Sequence, residues 1–156
     1  TGGYLPLAAT VVSEPIYDAF RGPYSDYRTL FHGHTYTGNA LGCAAALASL
    51  DIFETEGVLD TLPPKILALS DALAALPDRH VAERRQKGMM AATVLRHGLG
   101  ADARVGHQVC MAAREHGVVV RPLGDSIIFM PPLAMSPNQI GQLGRAVGAA
   151  IRDVLE

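Results

Sequence analysis

The run "HGHTYTGN" at residues 32–39 has a composition that no single structural role explains. His32 and His34 are separated by one glycine, so an extended backbone would aim both imidazoles the same way, as a metal site could use. No nearby cysteine or carboxylate cluster completes a ligand set, which makes metal binding the least favoured of three readings. The second is an anion cradle. The hydroxyls of Thr35 and Thr37, with backbone N–H groups ahead of a helix N-terminus, suit a phosphate. The third is a plain turn in which Gly33 and Gly38-Asn39 supply tight bends. Residue types alone leave the last two open.

Arg121 is the other residue placed for chemistry, between a triple valine and "PLG". An arginine at a strand end facing solvent is the ordinary case. An arginine approached through apolar residues is also how a protein grips a carboxylate by two parallel hydrogen bonds in a partly dry pocket. The "FMPP" run at 129–132 reads as a rigid, extended exit from the following strand.

Several elements would have to position these residues. "LPLAATVV" (5–12) reads as a buried strand, and Ser13-Glu14-Pro15 as the capped start of a short helix reaching Phe20. Residues 23–39 show no period, and a loop of that length is more often functional than idle. From Gly38 to Glu56 the apolar positions recur at helical spacing, with Gly57 as a stop. A second helix is predicted over 62–75, a strand over 88–95, and a helix over 104–117. "VVVRPLG" and "SIIFMPP" read as two strands about a Gly-Asp turn, and Ser136-Pro137 opens a last amphipathic helix. From residue 78 the order is therefore strand, helix, strand, strand, helix. That pattern makes an α/β sandwich, with one helical layer on a mainly antiparallel sheet.

The 156 residues are 49% hydrophobic with a formal net charge of -2, which fits a soluble globular protein. Scattered arginines and no basic surplus argue against nucleic acid as a partner. The longest apolar stretches stop short of the roughly 20 residues a membrane span needs. Cys43 and Cys110 lie far apart and form no CxxC, so both are expected to be small buried hydrophobes in a reducing, cytoplasmic compartment. The start, "TGGYLPLAAT", has neither an initiator Met nor a signal sequence and is expected to be a cut end.

"TGGYLPLAAT", "FHGHTYTGNALGCAAALASL" and "VVVRPLGDSIIFMPP", in this order and at these intervals, resemble the class III, fold-type-I pyridoxal-phosphate aminotransferases. The likeness covers nearly the whole chain and is least distinctive over 60–115. "TGGYLPL" and "RPLGD" point within the family to its biotin-pathway branch rather than to the ω-aminotransferases. The fold implied is α/β: residues 1–37 as the end of the large cofactor-binding domain, 38–57 as a connecting helix, and 58–156 as a small C-terminal α/β domain. The cofactor implied is pyridoxal 5'-phosphate, and the assembly a homodimer with active sites at the interface. The reaction implied moves an amine from S-adenosylmethionine or lysine to 8-amino-7-oxononanoate, giving 7,8-diaminononanoate.

In this family a Ser-Lys-x-[Leu/Ile]-Thr-Gly-Gly motif carries the lysine that binds the cofactor covalently. Its glycines match Gly2 and Gly3, so that lysine is expected upstream of Thr1, the chain is expected to be a C-terminal fragment, and no residue present is assigned as catalytic. The aspartate that pairs with the pyridine nitrogen is likewise expected upstream. Lys65 and Lys87, the only lysines, are predicted in a helix and a loop and match no family motif. By resemblance Thr35 binds the cofactor phosphate of the neighbouring subunit through its hydroxyl and N–H, and the backbone of His34 lines the same site. Gly33 leaves room for the amino-oxo acid, and Arg121 pairs with that substrate's distal carboxylate.

Two alternatives remain at this level. One is a class III aminotransferase for another ω-amino acid or a diamine, a reading that gains if Arg121 faces solvent. The other is a non-catalytic folded or oligomerising module, since the isolated chain is predicted to be inactive.

Overall fold

A computed structural model describes residues 1–156. The chain divides into two compact units, Thr1–Gly57 and Val58–Glu156.

The first unit holds two helices, α1 (Glu14–Ala19) and α2 (Ala40–Thr55), with a single 3-10 turn at Tyr24–Asp26. The strand predicted over 5–12 does not form. A strand needs a hydrogen-bonding neighbour, and this unit contains no other strand to supply one. Nor does Ser13 cap α1 through its side chain; its carbonyl accepts from Ile16 and Tyr17 instead. The start of α2 is better defined. Asn39 Oδ1 accepts from the N–H groups of Leu41 (2.9 Å) and Gly42 (3.3 Å), donors that a helix end otherwise leaves unpaired. Cys43, expected to be buried, is exposed, because the apolar residues of α2 have no cover within the chain.

The second unit packs α3 (Leu62–Ala74), α4 (Val105–Glu115) and α5 (Pro137–Leu155) with a four-stranded sheet. The strands are β1 (Val81–Lys87), β2 (Met90–Leu95), β3 (Arg121–Leu123) and β4 (Ser126–Phe129), in the order β1-β2-β4-β3 and antiparallel throughout. The predicted layering is present, with one strand more than expected. β1, "VAERRQK", had no apolar alternation to reveal it, and Lys87 ends this strand rather than sitting in a loop. Charged residues suit an edge position. Arg84 also ties β1 to α3: its guanidinium donates to the carbonyls of Leu73 (2.8 Å) and Leu76 (2.9 Å) and pairs with Asp78 (2.6 Å). It thereby satisfies acceptors at the helix C-terminus, where a cation is favoured. The third predicted strand contracts to Arg121–Leu123, and Val118 to Val120 belong to no strand.

Alternation along β2 and β4 turns Ala91, Thr93, Leu95, Ile127 and Phe129 into one buried face. Leu69, Leu73, Val105, Val109, Ile140, Val147 and Ile151 from the helices complete the core. α3 and α5 approach closely at Gly144, where an added Cβ would lie 2.6 Å from the Cβ of Ala72. The start of α5 is a full capping box: Ser136 accepts from Gln139 N–H, and the Gln139 side chain returns a bond to Ser136 N–H.

Candidate functional site

The first unit contains an open groove of about 830 Å³. One wall is the extended stretch at Leu5, Pro6, Leu7, Ala8 and Thr10, and the other is the turn from His32 to Asn39 with Gly42 of α2. The turn organises itself through local hydrogen bonds. Thr37 N–H donates to the His34 carbonyl (2.9 Å), and Asn39 N–H to that of Tyr36 (3.1 Å). Thr37 Oγ1 accepts from His34 N–H (2.9 Å), and His34 Nδ1 accepts from Tyr36 N–H (3.1 Å).

These bonds sort the candidates. The Leu41 and Gly42 amides at the start of α2 are taken by Asn39 and so are not open to an anion. Thr37 is engaged in closing the turn. Thr35, by contrast, makes no hydrogen bond within the chain through either its hydroxyl or its N–H, which leaves two adjacent donors for an outside acceptor. Gly33 and His34 line the groove, whereas Thr35 does not. An added Cβ at Gly33 would make only an ordinary contact, 3.5 Å from Thr37 Oγ1. Packing within the chain therefore does not demand glycine there. The side chain of His34, given no task by the sequence, braces the turn just beyond Thr35.

Arg121 belongs to the second unit, at the start of the edge strand β3, paired in register with Ile128. It is exposed, and its guanidinium has no partner in the chain. Neither lysine enters the groove: Lys65 in α3 donates to the Leu133 carbonyl (2.5 Å), and Lys87 closes β1. Cys110 is not an available nucleophile either. Burial pushes its thiol up to about 11, against a smaller opposing effect of Arg114, so it stays neutral near pH 7.

The comparisons with known proteins define the class. The profile of the class-III aminotransferases matches residues 1–151, and the chain belongs to that family. It is 52% identical, over its full length, to the adenosylmethionine-8-amino-7-oxononanoate aminotransferase of Nitratidesulfovibrio vulgaris, of which it covers 30%. The crystal structure of the enzyme of that name from Methanocaldococcus jannaschii superposes with a TM-score of 0.91 at 38% identity, over 98% of this chain and 36% of the other. An amine transaminase from an uncultivated Pseudomonas species, solved in its PLP-bound form, gives 0.83 at 34% identity, over 97% and 36%. The chain thus spans about a third of the length of these relatives. No helix is long and apolar enough to cross a membrane.

Proposed function

We propose that this chain forms part of a pyridoxal-phosphate-dependent aminotransferase that passes an amine to 8-amino-7-oxononanoate to give 7,8-diaminononanoate. The observation that carries this is the 52% identity over the whole chain to a relative named for that reaction. Within it, residues 1–37 would end the large cofactor-binding domain, 38–57 form the connecting helix, and 58–156 the small domain. A cytoplasmic homodimer is the assembly proposed, with S-adenosylmethionine or lysine as donor.

Bound pyridoxal phosphate supplies an electron sink for the exchange, and the protein holds and orients it. The residues present fit a holding role. Thr35 offers a hydroxyl and an N–H with no competing partner, which suits one phosphate oxygen or two neighbouring ones. Its position outside the groove's lining accords with a phosphate brought by the neighbouring subunit. His34 contributes backbone to that site while its imidazole fixes the turn, and Gly33 leaves space for the amino-oxo acid. Arg121 is the arginine proposed to hold the distal carboxylate; its unpaired guanidinium is free to do so.

The exposure of Arg121 in this chain is also the observation that favours the second reading, an aminotransferase for another ω-amino acid or a diamine. The relatives named for the first reaction, at 52% and 38% identity, favour the first reading.

The deciding experiment is an absorbance spectrum of the protein at its relatives' length. The yellow cofactor band should bleach with the donor and return with 8-amino-7-oxononanoate. Return only with pyruvate or another small keto acid would move the assignment to the second reading, and absence of any band would leave a non-catalytic module. Thr35→Val should speed cofactor loss on dialysis, and unchanged retention would remove Thr35 from the phosphate site.

A further inference from the structure

Between β2 and α4 the chain passes through His97, whose side chain is only 9% exposed, accepts one hydrogen bond and faces one carboxylate. Its Nδ1 accepts from Leu99 N–H (3.2 Å), and its Nε2 lies 3.1 Å from Asp125 Oδ2. The ring thus bridges the loop backbone at Leu99 and the carboxylate of Asp125, with Nε2 at ion-pair distance from Oδ2.

Asp125 gathers three elements. Its other oxygen, Oδ1, accepts from Gly106 N–H (3.3 Å) in the first turn of α4, and its carbonyl accepts from Leu95 N–H (2.9 Å) at the end of β2. The residue that should cap α4 locally, Arg104, has a left-handed backbone (φ 50) and makes no side-chain cap bond. A carboxylate from across the fold does that work instead, where a negative charge is favoured by the helix dipole. Helix and turn meet at Gly106: an added Cβ there would lie 2.2 Å from the Gly124 carbonyl oxygen.

The turn held in this way, Gly124-Asp125, is the two-residue link of the β3–β4 hairpin, in which Leu123 pairs with Ser126 and Arg121 with Ile128. β3 is three residues long, lies at the sheet edge and pairs with β4 alone. Besides its pairing with β4, the strand on which Arg121 sits packs against α4, the helix whose first turn Asp125 caps. We propose that His97 and Asp125 are positioning residues, which set the direction of Arg121 by clamping its hairpin to β2 and α4. The proposal rests on the carboxylate-holding role given to Arg121 above.

The test is a double-mutant cycle in the enzyme at its relatives' length, with KM read for both substrates. Arg121→Ala should raise the KM for 8-amino-7-oxononanoate at least about tenfold and leave that for the donor unchanged. His97→Phe should raise the same acceptor KM about three- to tenfold, with kcat and donor KM unchanged. It should add nothing in the Arg121→Ala background, because residues acting through one contact are not additive. His97→Gln keeps an N–H donor near the position of Nε2 and should restore the acceptor KM. If His97→Phe fails to fold, Asp125→Asn reads the same coupling with a smaller selective rise.

Equal effects of Arg121→Ala on both substrates would remove the arginine's assigned role, and the clamp with it. A selective Arg121→Ala together with a His97→Phe that shifts both substrates, lowers kcat, or adds fully to Arg121→Ala would overturn the clamp alone. So would a His97→Gln enzyme no better than His97→Phe, or an Asp125→Asn enzyme with no selective change.

Discussion

Every buried hydrophobic side chain of this chain lies in residues 58–156, whereas in residues 1–57 Val11 is 95% exposed, Tyr4 89%, and Gly42 alone is buried. The two units are nevertheless similarly apolar in sequence, so composition does not separate them. What separates them is closure. In the second unit, strand alternation and helix periodicity converge on one core, and burial of apolar area is the dominant stabilising force. In the first, shape comes from turn and cap hydrogen bonds, each contributing about 1 kcal/mol net. The residues proposed to bind, Gly33, His34 and Thr35, sit on this locally held scaffold, and Arg121 sits in the unit that has the core.

Deletion of apolar bulk should separate the two units most widely. Phe129→Ala removes the largest fully buried side chain and should cost the second unit about 3–5 kcal/mol in denaturant unfolding. Leu47→Ala in α2, where the leucine is 62% exposed, should change stability by less than about 0.5 kcal/mol. Equal losses would mean that the first unit has a core after all.

A gentler probe uses pH. Burial raises the Cys110 thiol from 9.0 to about 11, so the folded state keeps its proton after the unfolded chain has begun to lose it. The stabilisation is complete below pH 9 and is lost as pH rises toward 11, for a total of about 2–3 kcal/mol. Denaturant melts between pH 8 and 11 should show this decline in the second unit, and Cys110→Ala should flatten it.

The same contrast explains what was legible in the sequence. Periodicity and end signals located α2, α4 and α5, because a 3.6-residue repeat and a Ser-Pro start are local properties. Strand pairing is not local. "LPLAATVV" carries the right residues but has no neighbour within its unit, while "VAERRQK" looks wrong and is a strand because β2 pairs with it along its length. Cys43 was misjudged for a related reason: a helical repeat identifies a helix without saying what covers it. In the candidate site the two threonines were equivalent by type. Only the geometry shows that Thr37 is engaged in the turn and Thr35 is not. The His97–Asp125 pair was invisible, since its partners are 28 positions apart in sequence numbering and meet only through the sheet.

The smallest expected effect bears most directly on how the first unit is held. Asn39→Ala removes the acceptor for two amides at the start of α2, a loss of about 1 kcal/mol for such a cap. With no core beneath that helix end, the loss should stay local. Amide hydrogen exchange should accelerate at Leu41, Gly42 and Cys43 while the denaturant midpoint of the second unit is unmoved. Because Asn39 N–H also bonds the Tyr36 carbonyl, the loosening should extend back to the turn that presents Thr35. Faster exchange at Tyr36 and Thr37 would show that cap and turn open as one piece, whereas acceleration confined to α2 would show that His34 and Thr37 hold the turn without help from the helix.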